Sequence, residues 1–413
     1  LLASCNHYST KRYNNELNVK EQVRVVEALI VDAVRTPRGL GKPEGRLASL
    51  HPQHLLSQLL RALVERTGID PAEIDDVIAG VNTQQGKQGL NLARMAALDA
   101  GFPFTVPGFS LDRFCGSGLT ALTLGAMGVQ SGAQHMVVAG GVEQMSHTRT
   151  LSREFMLDSG NLELRCRIPQ PHQGICADLI ATLEGFERAE LDALAYESQQ
   201  RAARAMAEGR FDKSLVPVRS PGGEILLDRE QYPRPGTTLE ALAGLRPAFE
   251  AFFDREIDED GTTFGQLVRQ VYPDTQIRYM HTAATSSGVV DGAAALLVTS
   301  AEYARAHDLK PRARIRAVAT VGDDPTLMLN GPVPAARRAL ALAGMELGDV
   351  DLFEVNEAFA VVPLKFMRDL DLDPATVNVN GGAMALGHPI GATGAILAGT
   401  LLDELERQDK AVG

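Results

Sequence analysis

What the chain lacks narrows its class before any motif is read. No segment approaches the roughly 18–20 uninterrupted apolar residues of a membrane span, and no basic stretch followed by an apolar core resembles a secretory leader. Cysteine is scarce: Cys5, Cys115, Cys166 and Cys176 are all there are, and none has C-x-x-C or Cys/His ligand spacing. Neither a metal site nor a disulfide framework is therefore expected. Reduced thiols and the missing leader point to a cytoplasmic protein. Positive charge is in deficit, with 40 Lys and Arg against 52 Asp and Glu and a formal net charge of −12, which weighs against nucleic acid as a partner.

What is present suits a large α/β protein. The 413 residues are 45% hydrophobic and 22% charged, enough for a core divided over two or three units. Residues 1–24 are polar and aperiodic and read as a disordered or non-native extension, possessing Leu rather than Met at position 1. Order is expected from Val25, where VVEALIVDAV reads as a buried strand, followed by a helix through HLLSQLLRALVERTG and a strand at DDVIAGVN. HMVVAGGVEQMS reads as a further strand ending in a Gly-Gly turn. Strand and helix alternate here, the mark of a layered α/β core.

From residue 145 to 281 the texture changes to loops rich in Pro, Gly and Arg around one amphipathic helix, LDALAYESQQRAARAMAEGRF. Alternation resumes with TSSGVVDGAAALLVTS and PRARIRAVATVG. The second half echoes the first three times in the same order, ending with FCGSGLTALTLGA against NGGAMALGHPIGATGAILAGT. Two similar halves, each with one glycine-rich elbow facing a shared site, are expected.

Cys115 sits in the first elbow, LDRFCGSGLTALTLGA. A thiol at the start of a helix faces unpaired backbone N–H groups and the positive end of the helix dipole, which favour thiolate over thiol. The competing reading is a buried cysteine acting as a small hydrophobe. His388 lies in the second elbow, ringed by glycines that let the backbone approach a ligand closely. A Cys and a His facing each other make a nucleophile and its general base. Asn356 heads a third polar cluster, NEAFA.

From Glu27 onward, the order and spacing of FCGSG, SSGVVDGAAA, NEAFA and GGAMALGHPIGATGA resemble the thiolase family. The resemblance implies a layered α-β-α-β-α fold of two similar halves: residues 25–144 with 282–300, and 301–413. A mostly helical loop domain that binds coenzyme A, residues 145–281, is inserted between them. It implies that Cys115 forms the acyl-enzyme, that His388 takes its proton and holds the developing oxyanion, and that Asn356 positions a water beside it. The acyl group would pass to coenzyme A or to a second acyl-CoA, with thioesters as substrates and no resident cofactor or metal. The family's coenzyme A contacts fall on His172, Arg234, Phe249, Ala283, Ser287 and Phe359. A homodimer or homotetramer is implied.

Three departures stand out. Gln173 follows His172 where many thiolases carry Met, which changes the size or polarity of the acyl pocket. The acidic, aromatic stretch FEAFFDREIDEDGTTFGQLVRQVYPDTQIRYMH reads as a surface excursion. The family's second catalytic cysteine, in a Cys-x-Gly-Gly-Gly turn after the GHP histidine, has no counterpart before Gly413, so the chain reads as a truncated form of a longer enzyme. The alternatives are a thiolase-fold binding protein without turnover, or a decarboxylating ketoacyl synthase, which needs a second histidine in this half. A papain-like hydrolase lacks its local cysteine signature.

Overall fold

The computed structural model describes residues 26–151 and 156–413, so the expectations for residues 1–24 and for Cys5 lie outside the described residues. Among the described residues a seven-stranded mixed sheet forms the centre. Its strands are β1 (Ala28–Arg35), β2 (Gly39–Leu40), β3 (Asp76–Gly80), β4 (Gly108–Leu111) and β5 (Met136–Gln144); a separate hairpin, β6 (Val218–Arg219) and β7 (Ile225–Leu227), precedes β8 (Val290–Ser300) and β9 (Ala313–Arg314). The order is β4-β3-β5-β8-β1-β9, with β2 on β8; β3 pairs in parallel with β4 and β5, and β8 runs antiparallel to β5 and β1.

Every residue of β8 is buried, because both faces of the sheet are covered. Its two-residue period divides the core: Ala293, Ala295 and Leu297 face the leucines of α1 (Pro52–Thr67). Ala294, Leu296 and Val298 face α3 (Ser117–Gln130), which follows α2 (Leu92–Asp99), together with the last long helix of the chain. Gly140 and Gly141 do not turn the chain. They lie inside β5, where a Cβ would overlap the carbonyl oxygens of Ala294 and Gly391. The expected Gly-Gly turn is thus a stretch of strand in close backbone approach.

The long middle region supplies α4 (Gln173–Leu183), α5 (Arg188–Ala207) and α6 (Phe264–Val271). The acidic aromatic stretch is not a surface excursion. It contains α6, whose Phe264, Leu267 and Val268 are buried on Ile175 and Leu179 of α4. Its charges are exposed while its apolar residues recur at helical spacing, so composition concealed an amphipathic helix.

The second half contributes α7 (Pro332–Ala343), α8 (Val361–Asp369) and α9 (Thr393–Arg407). Of PRARIRAVATVG, only Ala313–Arg314 forms a strand, on β1. Beyond it, among the described residues, extended pairing in this half comes down to isolated bridges, such as the parallel one between Phe353 and Val377. A side chain explains why no longer ladder forms there. Asn378, at φ 47°, places its amide against Val355, accepting from the Val355 N–H and donating to its carbonyl, both at 2.8 Å. It takes the hydrogen bonds a neighbouring strand would otherwise make.

Candidate active site

The two elbows meet at one corner. Helices α3 and α9 start against each other with glycine at the contact: a Cβ on Gly118 would stand 2.9 Å from the Gly391 carbonyl oxygen, and one on Gly394 would overlap the backbone of Leu119. Gly80, at the end of β3, completes the junction, since a Cβ there would lie 2.6 Å from both Gly118 N and Gly391 O. The segments carrying Cys115 and His388 are thereby packed backbone to backbone.

Cys115 precedes Gly116, the N-cap of α3. The turn before it is held by its neighbours: Phe114 takes φ 49°, its N–H donates to Asp112 Oδ1 at 2.7 Å, and its carbonyl accepts from Ser117 Oγ at 2.7 Å. The thiol does not behave as a helix-start thiolate. Burial is the largest influence and pushes it up to about 11, and the carboxylates of Glu143 and Asp112 push the same way. Hydrogen bonds from its own backbone and from the Gln173 side chain oppose this without reversing it.

His388 is 4% exposed. Burial first, and then the positive charge of Arg38, lower its pKa to about 4, so the imidazole is neutral. Its Nδ1 lies 2.6 Å from Thr393 Oγ1, which donates to the Pro389 carbonyl at 3.0 Å. A hydroxyl has one proton, so Nδ1–H is the donor to Thr393 and Nε2 keeps its lone pair. Asn356 Nδ2 approaches that Nε2 at 3.4 Å, and Asn356 Oδ1 is buried without a partner. The backbone of His388 is fixed by a bond from its N–H to Gly288 O at 2.8 Å, and Arg38 Nη1 donates to Gly387 O at 3.1 Å.

Two buried carboxylates hold the corner together. Glu143 accepts from Gly391 N at 2.9 Å, Asn82 N at 3.0 Å and Gln88 Nε2 at 2.8 Å, which ties the His388 loop to the end of β3. Glu357, beside Asn356, accepts from Ser198 Oγ at 2.8 Å and from Asn378 Nδ2 and Met384 N at 3.1 Å. Burial raises the pKa of both. Neither carboxylate, nor Thr393, stood out in the sequence, although a glutamate inside an otherwise apolar strand was a usable signal for Glu143.

Three of the proposed coenzyme A contacts form one aromatic cluster. His172 stacks on Phe252 with ring centroids 4.4 Å apart and lies 5.7 Å from Phe249, which meets Phe359 edge-on at 5.6 Å. His172 caps α4 by accepting from Gly174 N at 3.1 Å, and burial, followed by Arg255, lowers its pKa to about 4. Ser287 adjoins this cluster, its N–H donating to Ala358 O at 2.9 Å, while Ala283 is exposed on the preceding turn. Arg234 stands apart. Its guanidinium is exposed 5.8 Å from the Tyr232 ring centroid, and its N–H is held by Gln199 Oε1 at 2.8 Å.

This geometry coincides with family matches across the chain. Residues 28–252 match the model of the thiolase N-terminal domain and residues 309–413 that of the thiolase C-terminal domain.

The chain belongs to the thiolase family.

A steroid 3-ketoacyl-CoA thiolase of Mycobacterium tuberculosis is 39% identical over 393 residues, covering 93% of this chain and 89% of that protein. An acetyl-CoA acetyltransferase of Pseudomonas aeruginosa is 41% identical over 404 residues, covering 94% and 95%. The crystal structure of the Bacillus anthracis acetyl-CoA acetyltransferase superposes with a TM-score of 0.78 at 36% identity, covering 94% of each chain. This thiolase shares their α/β fold, and among its described residues no helix is long and apolar enough to cross a membrane.

Proposed function

We propose that this thiolase carries acyl groups on Cys115, taken from acyl-CoA thioesters. The thiol and imidazole rest as a neutral pair. As the Cys115 sulfur bonds to the thioester carbonyl carbon, its proton passes to His388 Nε2 and the carbonyl electrons move onto oxygen. Collapse breaks the bond to the coenzyme A sulfur, which leaves with the proton from His388. The acyl-enzyme then delivers its acyl group to coenzyme A or to the α-carbon of a second acyl-CoA. An imidazolium buried beside Arg38 is unfavourable, so His388 returns its proton readily. Asn356 supports the developing oxyanion through its Nδ2–H, the donor it turns toward His388.

The observation that carries this reading is the glycine-lined junction that presses the Cys115 elbow against the His388 loop. No resident cofactor is required, since the thioester supplies the activated acyl group. The histidines a ketoacyl synthase would need are elsewhere: His281 is buried against Asp178 at 2.7 Å, and His307 stacks on Tyr303. Intact-mass analysis after incubation with acetyl-CoA tests the reading. One acetyl group on the wild type and none on Cys115→Ser supports it; an unmodified wild type favours a binding protein without turnover.

Self-association is part of the proposal. Among the described residues strand β4 is an edge of the sheet; Phe109 within it and Phe104 and Phe114 on either side in sequence are exposed, as are Leu124 and Met127 of α3. Exposed apolar side chains and a sheet edge unpaired among the described residues favour pairing with a second copy about a two-fold axis. The free thiols of Cys115, Cys166 and Cys176 support a reducing, cytoplasmic setting.

A further inference from the structure

Three charged side chains are buried between the inserted region and the His388 loop: Arg35 at the end of β1, Arg38 in the turn to β2, and Glu230 from the middle of the chain. Glu230 Oε1 accepts from Arg35 Nη1 at 2.6 Å and Oε2 from the Arg38 backbone N–H at 2.7 Å, while Arg38 Nε lies 3.6 Å from Oε1. Gln231 extends the grip, its N–H donating to Arg38 O at 3.0 Å and its Oε1 accepting from Leu40 N at 3.0 Å. Held on this side, Arg38 directs Nη1 onto the carbonyl of Gly387, 3.1 Å away. Gly387 takes φ 93° and has no room for a Cβ against Val290, so the peptide leading into His388 is confined from both sides. Tyr232, from the same segment as Glu230, lies against Gly288, whose carbonyl holds the His388 N–H.

Two arginines share one carboxylate here, so the trio keeps a surplus of positive charge. Glu230 is ionised: burial raises its pKa, but the charges of Arg35 and Arg38 more than offset this. Burial lowers Arg38 to about 10, still a cation at neutral pH. Arg38 also feels Glu354 and Glu357, on either side of Asn356. Beyond His388, Glu143 is bound to Gly391 N, and Thr393 and Asn356 are neutral.

Resting on His388 as the base of the proposed acyl transfer, we propose that Arg38, held by Glu230, is a positioning residue for that histidine, pinning the Gly387 carbonyl and fixing a positive charge beside the imidazole. The proton that passes from Cys115 to His388 Nε2 is thereby kept only until the leaving coenzyme A sulfur takes it. The inserted region, expected to bind coenzyme A, also supplies the carboxylate that keeps this charge in place.

The test is an NMR titration of the full chain labelled at histidine Cε1, with the His388 signal assigned by its loss in His388→Asn. In the wild type His388, lowered to about 4, keeps the signal of a neutral ring until the solution is more acidic than about pH 5. Arg38→Gln removes the charge, keeps a side-chain N–H and leaves the Arg35–Glu230 pair at 2.6 Å; its His388 midpoint should rise by about one pH unit. Glu230→Gln keeps the Arg38 charge and removes its counter-charge, so its midpoint should stay at or below that of the wild type. A merely structural role would move the two variants alike. A midpoint in Arg38→Gln within about 0.3 pH units of wild type overturns the proposal. So does a rise in Glu230→Gln, which stands as a test by itself if Arg38→Gln fails to fold. The titration needs no substrate, so a missing acetyl adduct, which would sink the acyl-carrier reading, leaves this result separately readable.

Discussion

Thr393 Oγ1 sits 2.6 Å from His388 Nδ1 and donates its one proton to the Pro389 carbonyl, which leaves the lone pair on His388 Nε2, the nitrogen that Asn356 Nδ2 approaches. One hydroxyl a turn beyond the histidine thus selects the tautomer that can act as a base.

Thr393→Val removes that selection while keeping the shape of the side chain. We expect kcat to fall about 10²-fold, the lower end of a general base's contribution, with KM nearly unchanged. Thr393→Ser should restore most of the rate, and steady-state kinetics of the three proteins check this.

The pH dependence follows from two shifts of opposite sign. His388, lowered to about 4, stays a neutral base until the solution is more acidic than that; Cys115, raised to about 11, stays a thiol until the solution is more basic. Formation of the acyl-enzyme should therefore be nearly flat from about pH 5.5 to 9, with no inflection at the ordinary histidine value. Alkylation of Cys115 should instead climb about tenfold per pH unit toward its thiol value. Stopped-flow acylation and alkylation profiles separate the two.

The glycine contact between α3 and α9 bears on stability and chemistry together. Gly394→Ala forces a methyl into the Leu119 backbone and should cost about 1–3 kcal/mol, with a loss of acyl-enzyme formation as the elbows part. Gly322→Ala, where no atom lies within 4 Å of the added carbon, should stay within about 0.5 kcal/mol of wild type. Denaturant melts of both variants test this.

If the β4 edge pairs with a second copy, Phe109→Glu should shift the protein toward monomer in light scattering without disturbing the β3–β4 ladder, because this side chain is already 37% exposed. An unchanged mass would place the interface elsewhere.

Much of the framework was legible in the chain itself. The apolar run of β8, the leucines of α1 and the glycine elbows each follow from local periodicity. Cys115, His388 and Asn356 could be singled out as candidates because each stands in a short motif whose chemistry needs few neighbours. Glu143 could not, since its role is to accept from Gly391 N, 248 positions away. The missing ladder in the second half was equally hidden: it turns on the Asn378 side chain taking the backbone bonds of Val355.

The sequence alone thus determined which groups are present and which local turns expose them, because helix, strand and elbow preferences act over a few residues. Tertiary structure decided their protonation and their contacts. A helix start favours a thiolate by a modest local field, whereas burial removes the water that would solvate it; at Cys115 burial prevails and holds the sulfur as a thiol, as at His388 it holds the imidazole neutral.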